Sequence, residues 1–212
     1  MINMKVDFQL HYKEQLKKNI SRVRGEIKNR DFQLKIQNWS EKYGFEKEEV
    51  ENKILQDDMF VANFAKDPSK QNIYEKLAVQ FIKSIPFISK FVNLPNNTKL
   101  FVVNGEITSK RDNEVKSIDF IFNIGDYKFY CSHKYIRETS GGAQGNQYND
   151  VRNFLRNCKK RSDGNEYFIA ICDGPYFDSK ISLMNNDFGS SNVKALTIED
   201  LEDYLSQFKK EN

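Results

Sequence analysis

Residues 117–155, SIDFIFNIGDYKFYCSHKYIRETSGGAQGNQYNDVRNFL, decide how this chain folds. SIDFIF and YKFYCSHKYI are short β-prone runs rich in β-branched and aromatic residues. Between them Asn123-Ile124-Gly125-Asp126 is a tight-turn sequence, which predicts an antiparallel hairpin. Side chains alternate along a strand, so Ser132 and Lys134 project from one face of the second strand, and a hairpin can set them opposite Asp119. His133 then points the other way, toward packing or hydrogen bonding. Beyond the hairpin, Gly141, Gly142 and Gly145 form a flexible turn feeding a helix over 147–158, whose Val151, Phe154 and Leu155 fall on one face.

Working outward, LFVVN (100–104) reads as a strand before the hairpin, and EYFIAIC (166–172) and NVKAL (192–196) as strands after it. Thr197-Ile198-Glu199-Asp200 is an N-cap sequence for a C-terminal helix. Ile73, Leu77, Phe81 and Ile85 recur at four-residue intervals, the pattern of a core helix that ends before Pro86. From about residue 10 to 66 there is no proline, and HYKEQLKKNISRVRGEIKNR and EKEEVENKILQDDMFVANFAK read as helices. Asp67-Pro68-Ser69 breaks the chain. The expected organisation is therefore α/β, with a helical N-terminal region over 1–69 and a sheet-bearing core over 70–212. The order is α…α-β-β-β-α-β-β-α.

Composition narrows the function classes. The chain has 212 residues, is 39% hydrophobic and 13% aromatic, and so can bury a core rather than remain disordered. Lysine and arginine total 33 against 30 acids, a net charge of only +3, so any polyanionic partner must be read from where the charge lies. It is concentrated on the first helix, where Lys17, Lys18 and Arg22 are candidates for phosphate contacts, the alternative being an ordinary solvated face. The three cysteines, Cys131, Cys158 and Cys172, lack CxxC spacing and sit in or beside apolar runs, as reduced thiols of a cytoplasmic protein do. With two histidines, a His/Cys zinc cluster is excluded and any metal should have oxygen ligands. No signal sequence and no apolar run approaching about 18 residues is present, which points away from the membrane.

An aspartate, a lysine and a serine on one hairpin face suit phosphodiester chemistry. Hydrolysis needs a divalent cation, carboxylates to hold it, and a cation to stabilise the charge that develops on phosphoryl oxygens. Asp119 fits the ligand role and Lys134 the electrostatic one; the competing readings are a solvent-facing aspartate and an exposed strand lysine.

An aspartate, a β-turn, then acid-x-lysine on the next strand and a following helix resembles the PD-(D/E)xK nuclease superfamily, and KYIRETSGGAQGNQYNDVRNFL is similar to the segment after the catalytic lysine of some type II restriction endonucleases. The resemblance covers roughly residues 70–205 and implies a mixed sheet flanked by helices, Mg²⁺-dependent cleavage of double-stranded DNA, and a homodimer matched to a palindromic site, with 70–212 as the nuclease core and 1–69 as a DNA-contacting or dimerisation region. It implies a supporting role for Gln147 and an added acid at Glu75, which completes a metal site with Asp119 in many members. Gln144, Asn146, Gln147 and Asn149 bring amides suited to DNA contact at the helix start. Two positions depart from the motif. Ile118 stands where proline is expected, and Ser132 stands where the acid is expected. A neutral hydroxyl is a poor ligand for a hard cation. Either Glu75 or Glu138 supplies the missing carboxylate, or the chain binds DNA without cutting it, or the resemblance misleads.

Overall fold

The computed structural model describes residues 6–94, 98–110, 116–137, 142–161 and 164–209. They form two compact units, one spanning Asp7–Tyr74 and the other beginning at Glu75. The boundary lies beyond the expected 69/70 because the 3-10 turn Pro68–Gln71 belongs to the helical unit. The amide of the buried Asn19 donates to the Lys66 carbonyl at 2.6 Å and to Gln71 Oε1 at 2.7 Å, tying that turn to the first helix.

The helical unit contains α1 (Phe8–Gly25), α2 (Arg30–Tyr43), α3 (Lys47–Gln56) and α4 (Asp58–Val61). Its helices start where the sequence offers caps: Asp7 accepts from Leu10 N, Asn29 from Asp31 N, and Asp57 from Met59 N and Phe60 N. Gly44, at φ 72°, ends α2 in the left-handed conformation that lacks a Cβ penalty. Val23, Ile36, Val50, Ile54, Val61 and Phe64 form its core, with Trp39 packed against them.

The second unit is α/β. Helix α5 (Ile73–Ser84) begins at the boundary and ends before Pro86 as expected, burying Ala78, Phe81 and Ile82. Among the described residues seven strands follow: β1 (Ser89–Asn93), β2 (Phe101–Val103), β3 (Glu106–Thr108), β4 (Phe120–Ile124), β5 (Tyr127–Tyr135), β6 (Glu166–Asp173) and β7 (Val193–Leu196). Five of them form one mixed sheet in the order β1-β4-β5-β6-β7. The first two pairings are antiparallel and the last two parallel. The β4–β5 hairpin closes through Gly125 and Asp126, Gly125 taking φ 56° in the two-residue turn. Parallel neighbours need crossovers. Helix α6 (Gly142–Cys158) supplies the one between β5 and β6, and α7 (Ile181–Phe188) the one between β6 and β7. Helix α8 (Ile198–Ser206) closes the fold, with Thr197 accepting from Asp200 N as its cap.

Three expectations need correction. LFVVN does not join the main sheet: β2 pairs only with β3 in a separate two-stranded ribbon, and Leu100 makes one isolated bridge to Ile118. The first sheet strand is instead β1, SKFVN, an edge strand with four of its five residues exposed, a register shift and Lys90 at φ 51°. An edge exposed on both faces leaves no alternation to read. Helix α7 is a further element that periodicity did not reveal, and α6 starts at Gly142 rather than at 147, so Gln144, Asn146 and Gln147 lie in its opening turns and not in a glycine loop.

The two sheet faces are covered differently. Tyr130, Phe168, Ala170 and Cys172 pack with Val151, Phe154, Leu155 and Cys158 of α6. The alternating residues face the other way, where Phe129 and Tyr167 meet Phe208 at ring-centroid distances of 5.1 and 4.5 Å. Burying each side chain of Phe or Leu size contributes about 1.5–3 kcal/mol, so α6 is fixed to the face that carries the even-numbered residues of β5. All three cysteines are buried and free. Among the described residues no helix is long and apolar enough to cross a membrane.

Candidate functional site

The hairpin brings Asp119 and Ser132 together. Regular β4–β5 pairing ends at Phe120–Cys131, and in that register Ser132 is the next residue opposite Asp119. Here the ladder changes partners: Asp119 N–H donates to the Cys131 carbonyl at 2.8 Å, its carbonyl accepts from Leu94 N at 2.9 Å, and its carboxylate takes the next β5 amide, His133 N–H, at 2.8 Å. A side chain that serves as a backbone acceptor is held in one orientation. Asp119 is therefore positioned by both its main chain and its carboxylate.

A lysine completes the arrangement. Lys116 Nζ donates to Asp119 Oδ2 at 2.6 Å, the two side chains each being 14% exposed. The Ser132 hydroxyl lies 3.5 Å from Oδ2 and the Ser117 hydroxyl 3.4 Å from Oδ1, contacts at the long limit of hydrogen bonding and therefore weak. Burial alone would raise the Asp119 pKa, but the Lys116 charge and hydrogen bond, with the His133 amide, outweigh it and hold the carboxyl below its ordinary value.

Lys134 follows Ser132 on the same face of β5 and is half-buried. Desolvation lowers its pKa, the like charge of Lys116 adds to that, and Asp150 of α6 and Asp119 oppose it; the net shift is downward. Beside the Lys116–Asp119 ion pair the site thus carries a second, partly desolvated ammonium, Lys134, in surroundings where charges are felt more strongly than in water.

On the opposite face His133 Nε2 lies 3.1 Å from Asp173 Oδ2, and Asp173 Oδ1 accepts from Ile198 N at 2.9 Å. Both side chains are buried. This pair ties β5 to β6 and to the start of α8, the structural part expected of His133. Gly174, at φ 95°, follows Asp173; a Cβ there would run into the Ile136 carbonyl.

The remaining sequence candidates are dispersed. Glu75 is half-buried in the first turn of α5, and the partners of the Asp119 carboxylate, Lys116, Ser117, Ser132 and His133, do not include it. Glu138 and Gly141 lie outside the described residues. In the opening turns of α6, Gln144 is buried, Gln147 half-buried, and Asn146 and Asn149 exposed. Lys17, Lys18 and Arg22 are exposed on α1 of the helical unit, Arg22 pairing with Glu26 at 2.7 Å. Sequence reasoning missed Lys116 and Asp150. Lys116 is three residues before Asp119 in irregular chain, where periodicity carries no signal. Asp150 sits one helical turn beyond Gln147, a spacing that could have put it on the same side of α6.

The donor set bears on a metal directly. Among the described residues no group of three or more His, Cys, Asp or Glu side chains gathers to hold an ion. The one carboxylate at the expected position already has an ammonium on Oδ2. Mg²⁺ takes near-octahedral oxygen ligands and is usually held through one or two carboxylates. The described residues, as arranged, do not fit it.

No protein-family profile, no curated protein and no solved structure matches the chain.

Proposed function

We propose that this chain is a nuclease-fold protein of the type II restriction endonuclease kind, which engages a phosphodiester of double-stranded DNA at Asp119, Ser132 and Lys134. The observation that carries this reading is the order of elements around those residues. In the second unit a helix is followed by the antiparallel strands β1, β4 and β5, with the separate β2–β3 ribbon inserted after β1, and then by a crossover helix and a parallel strand; Asp119 lies opposite Ser132, with Lys134 on the same face of β5. Lys134 would stabilise charge on the phosphoryl oxygens, a contribution of order 10²–10³ in rate for groups of this kind. The amides at the start of α6 would meet base edges or phosphates, and a homodimer would match the two halves of a palindrome.

Whether the protein cuts turns on the second acid. In the endonuclease reading hydrolysis requires Mg²⁺, and a carboxylate beyond Asp119 has to be recruited. A specific observation favours the other reading, DNA binding without cleavage: Ser132 is neutral, and Asp119 is neutralised by Lys116. Incubation with plasmid and phage DNA in Mg²⁺ or Mn²⁺ separates them. Discrete fragments support the endonuclease. Salt-sensitive binding without fragments, weakened by Lys134→Ala, supports the non-cutting protein. Neither binding nor cutting would refute both.

A further inference from the structure

The disagreement between the site and a divalent cation has a definite origin in one side chain. Lys116 Nζ sits 2.6 Å from Asp119 Oδ2, and the pair is largely withdrawn from solvent, each side chain 14% exposed. The other contacts of that carboxylate are one backbone N–H and two long hydroxyl contacts. We propose that Lys116 is a resident counter-ion that excludes divalent cations from Asp119 in the free protein.

The physical reasoning concerns charge balance. Lys116 neutralises Asp119, so an entering divalent cation would meet no excess of negative charge at that carboxylate. It would also have to displace the ammonium from Oδ2, leaving Lys116 beside a second ammonium that already feels its charge. A partly desolvated ammonium without its partner is costly. A bound phosphate group offers the displaced ammonium an alternative acceptor. The ammonium is therefore held on Oδ2 as long as no phosphate group is bound. This regulation rests on the reading of the site as a phosphodiester site, but its test uses no DNA, so its failure is distinct from a failure to bind or cut DNA.

The test is Mn²⁺ binding, followed by calorimetry and by the electron paramagnetic resonance of free Mn²⁺, on the full chain. The variants are Lys116→Met, which keeps the aliphatic stem, Lys116→Gln, which keeps a donor to Oδ2 without the charge, and Lys116→Arg, which keeps the charge. Met and Gln are expected to tighten Mn²⁺ binding at least tenfold over the parent, Arg to leave it unchanged, and Asp119→Asn added to either to abolish the gain. Far-UV circular dichroism checks that each variant is folded, and the Gln variant serves if Met fails to fold. Equal Mn²⁺ affinity for the parent and the neutral variants would overturn the proposal, as would a gain that survives Asp119→Asn.

Discussion

The Lys116–Asp119 pair makes a stability prediction that needs no knowledge of function. In Asp119→Asn the new amide still accepts from His133 N–H, but Lys116 keeps its charge in a pocket where its side chain is only 14% exposed. Removing one partner of a buried pair costs about 3–5 kcal/mol, and residual exposure puts this case near the lower figure, about 3 kcal/mol. Lys116→Met leaves the carboxylate with the His133 amide and two long hydroxyl contacts, at a cost of about 2 kcal/mol for the lost charge-assisted bond. The double variant holds neither charge and should lose no more than about 1 kcal/mol, since neutral replacements of buried pairs are often tolerated. The cycle then shows a coupling of about 4 kcal/mol, above the usual range for neighbouring residues because each single change strands a charge. Trp39, the only tryptophan, lies in the helical unit and its fluorescence would report that unit instead. The suitable readout is native-state hydrogen exchange across residues 120–135, which gives the opening free energy of the β4–β5 hairpin itself. Single variants costing under about 1 kcal/mol, or a double variant equal to their sum, would refute the assignment of this pair as a desolvated, mutually dependent unit.

The same pair sets an acid dependence. Because the Asp119 pKa is depressed in the folded state, its contribution is present above the ordinary carboxylate value of about 3.9 and is lost as pH falls through the lower folded value; exchange of the hairpin measured from pH 6 downward should show this loss in the parent and not in Asp119→Asn. Lys134→Ala should weaken DNA binding and reduce its dependence on log salt by about one charge, and a titration with unchanged slope would remove Lys134 from the interface. Replacing Lys17, Lys18 and Arg22 together with alanine should flatten the slope further, all three being exposed; equal slopes would return them to the solvated surface. Gly174→Val should destabilise the second unit by more than the roughly 1–3 kcal/mol of left-handed strain, because φ is 95° and the new Cβ meets the Ile136 carbonyl; a thermal midpoint within a degree of the parent would contradict that.

The local elements were legible wherever one face of an element is buried. Phe120, Phe122 and Ile124 of β4 alternate with less buried neighbours, and although β5 is buried on both faces from Phe129 to His133, the hairpin, its two-residue turn and the shared face of Ser132 and Lys134 still follow from β-prone composition, the turn residues and the two-residue period of a strand. Val151, Phe154 and Leu155 placed α6 in the same way, and Thr197 placed the start of α8 through its own hydroxyl. These are interactions between residues close in sequence or set by one periodic pattern. What only the tertiary structure decided lies where pattern is absent. β1 is an exposed edge that joins the sheet through partners some thirty residues away, while the more apolar Phe101–Val103 is diverted to pair with β3 and pack on α6. Lys116 belongs to no helix or strand, so nothing in its spacing announces that its ammonium will neutralise Asp119. Asp150 reaches the neighbourhood of Lys134 only because a parallel crossover folds α6 back over β5. An acid and a lysine on a hairpin can be read from alternation, but the charges that decide whether that acid can hold a metal arrive from irregular chain and from a helix on another layer, and long-range packing alone sets their distances.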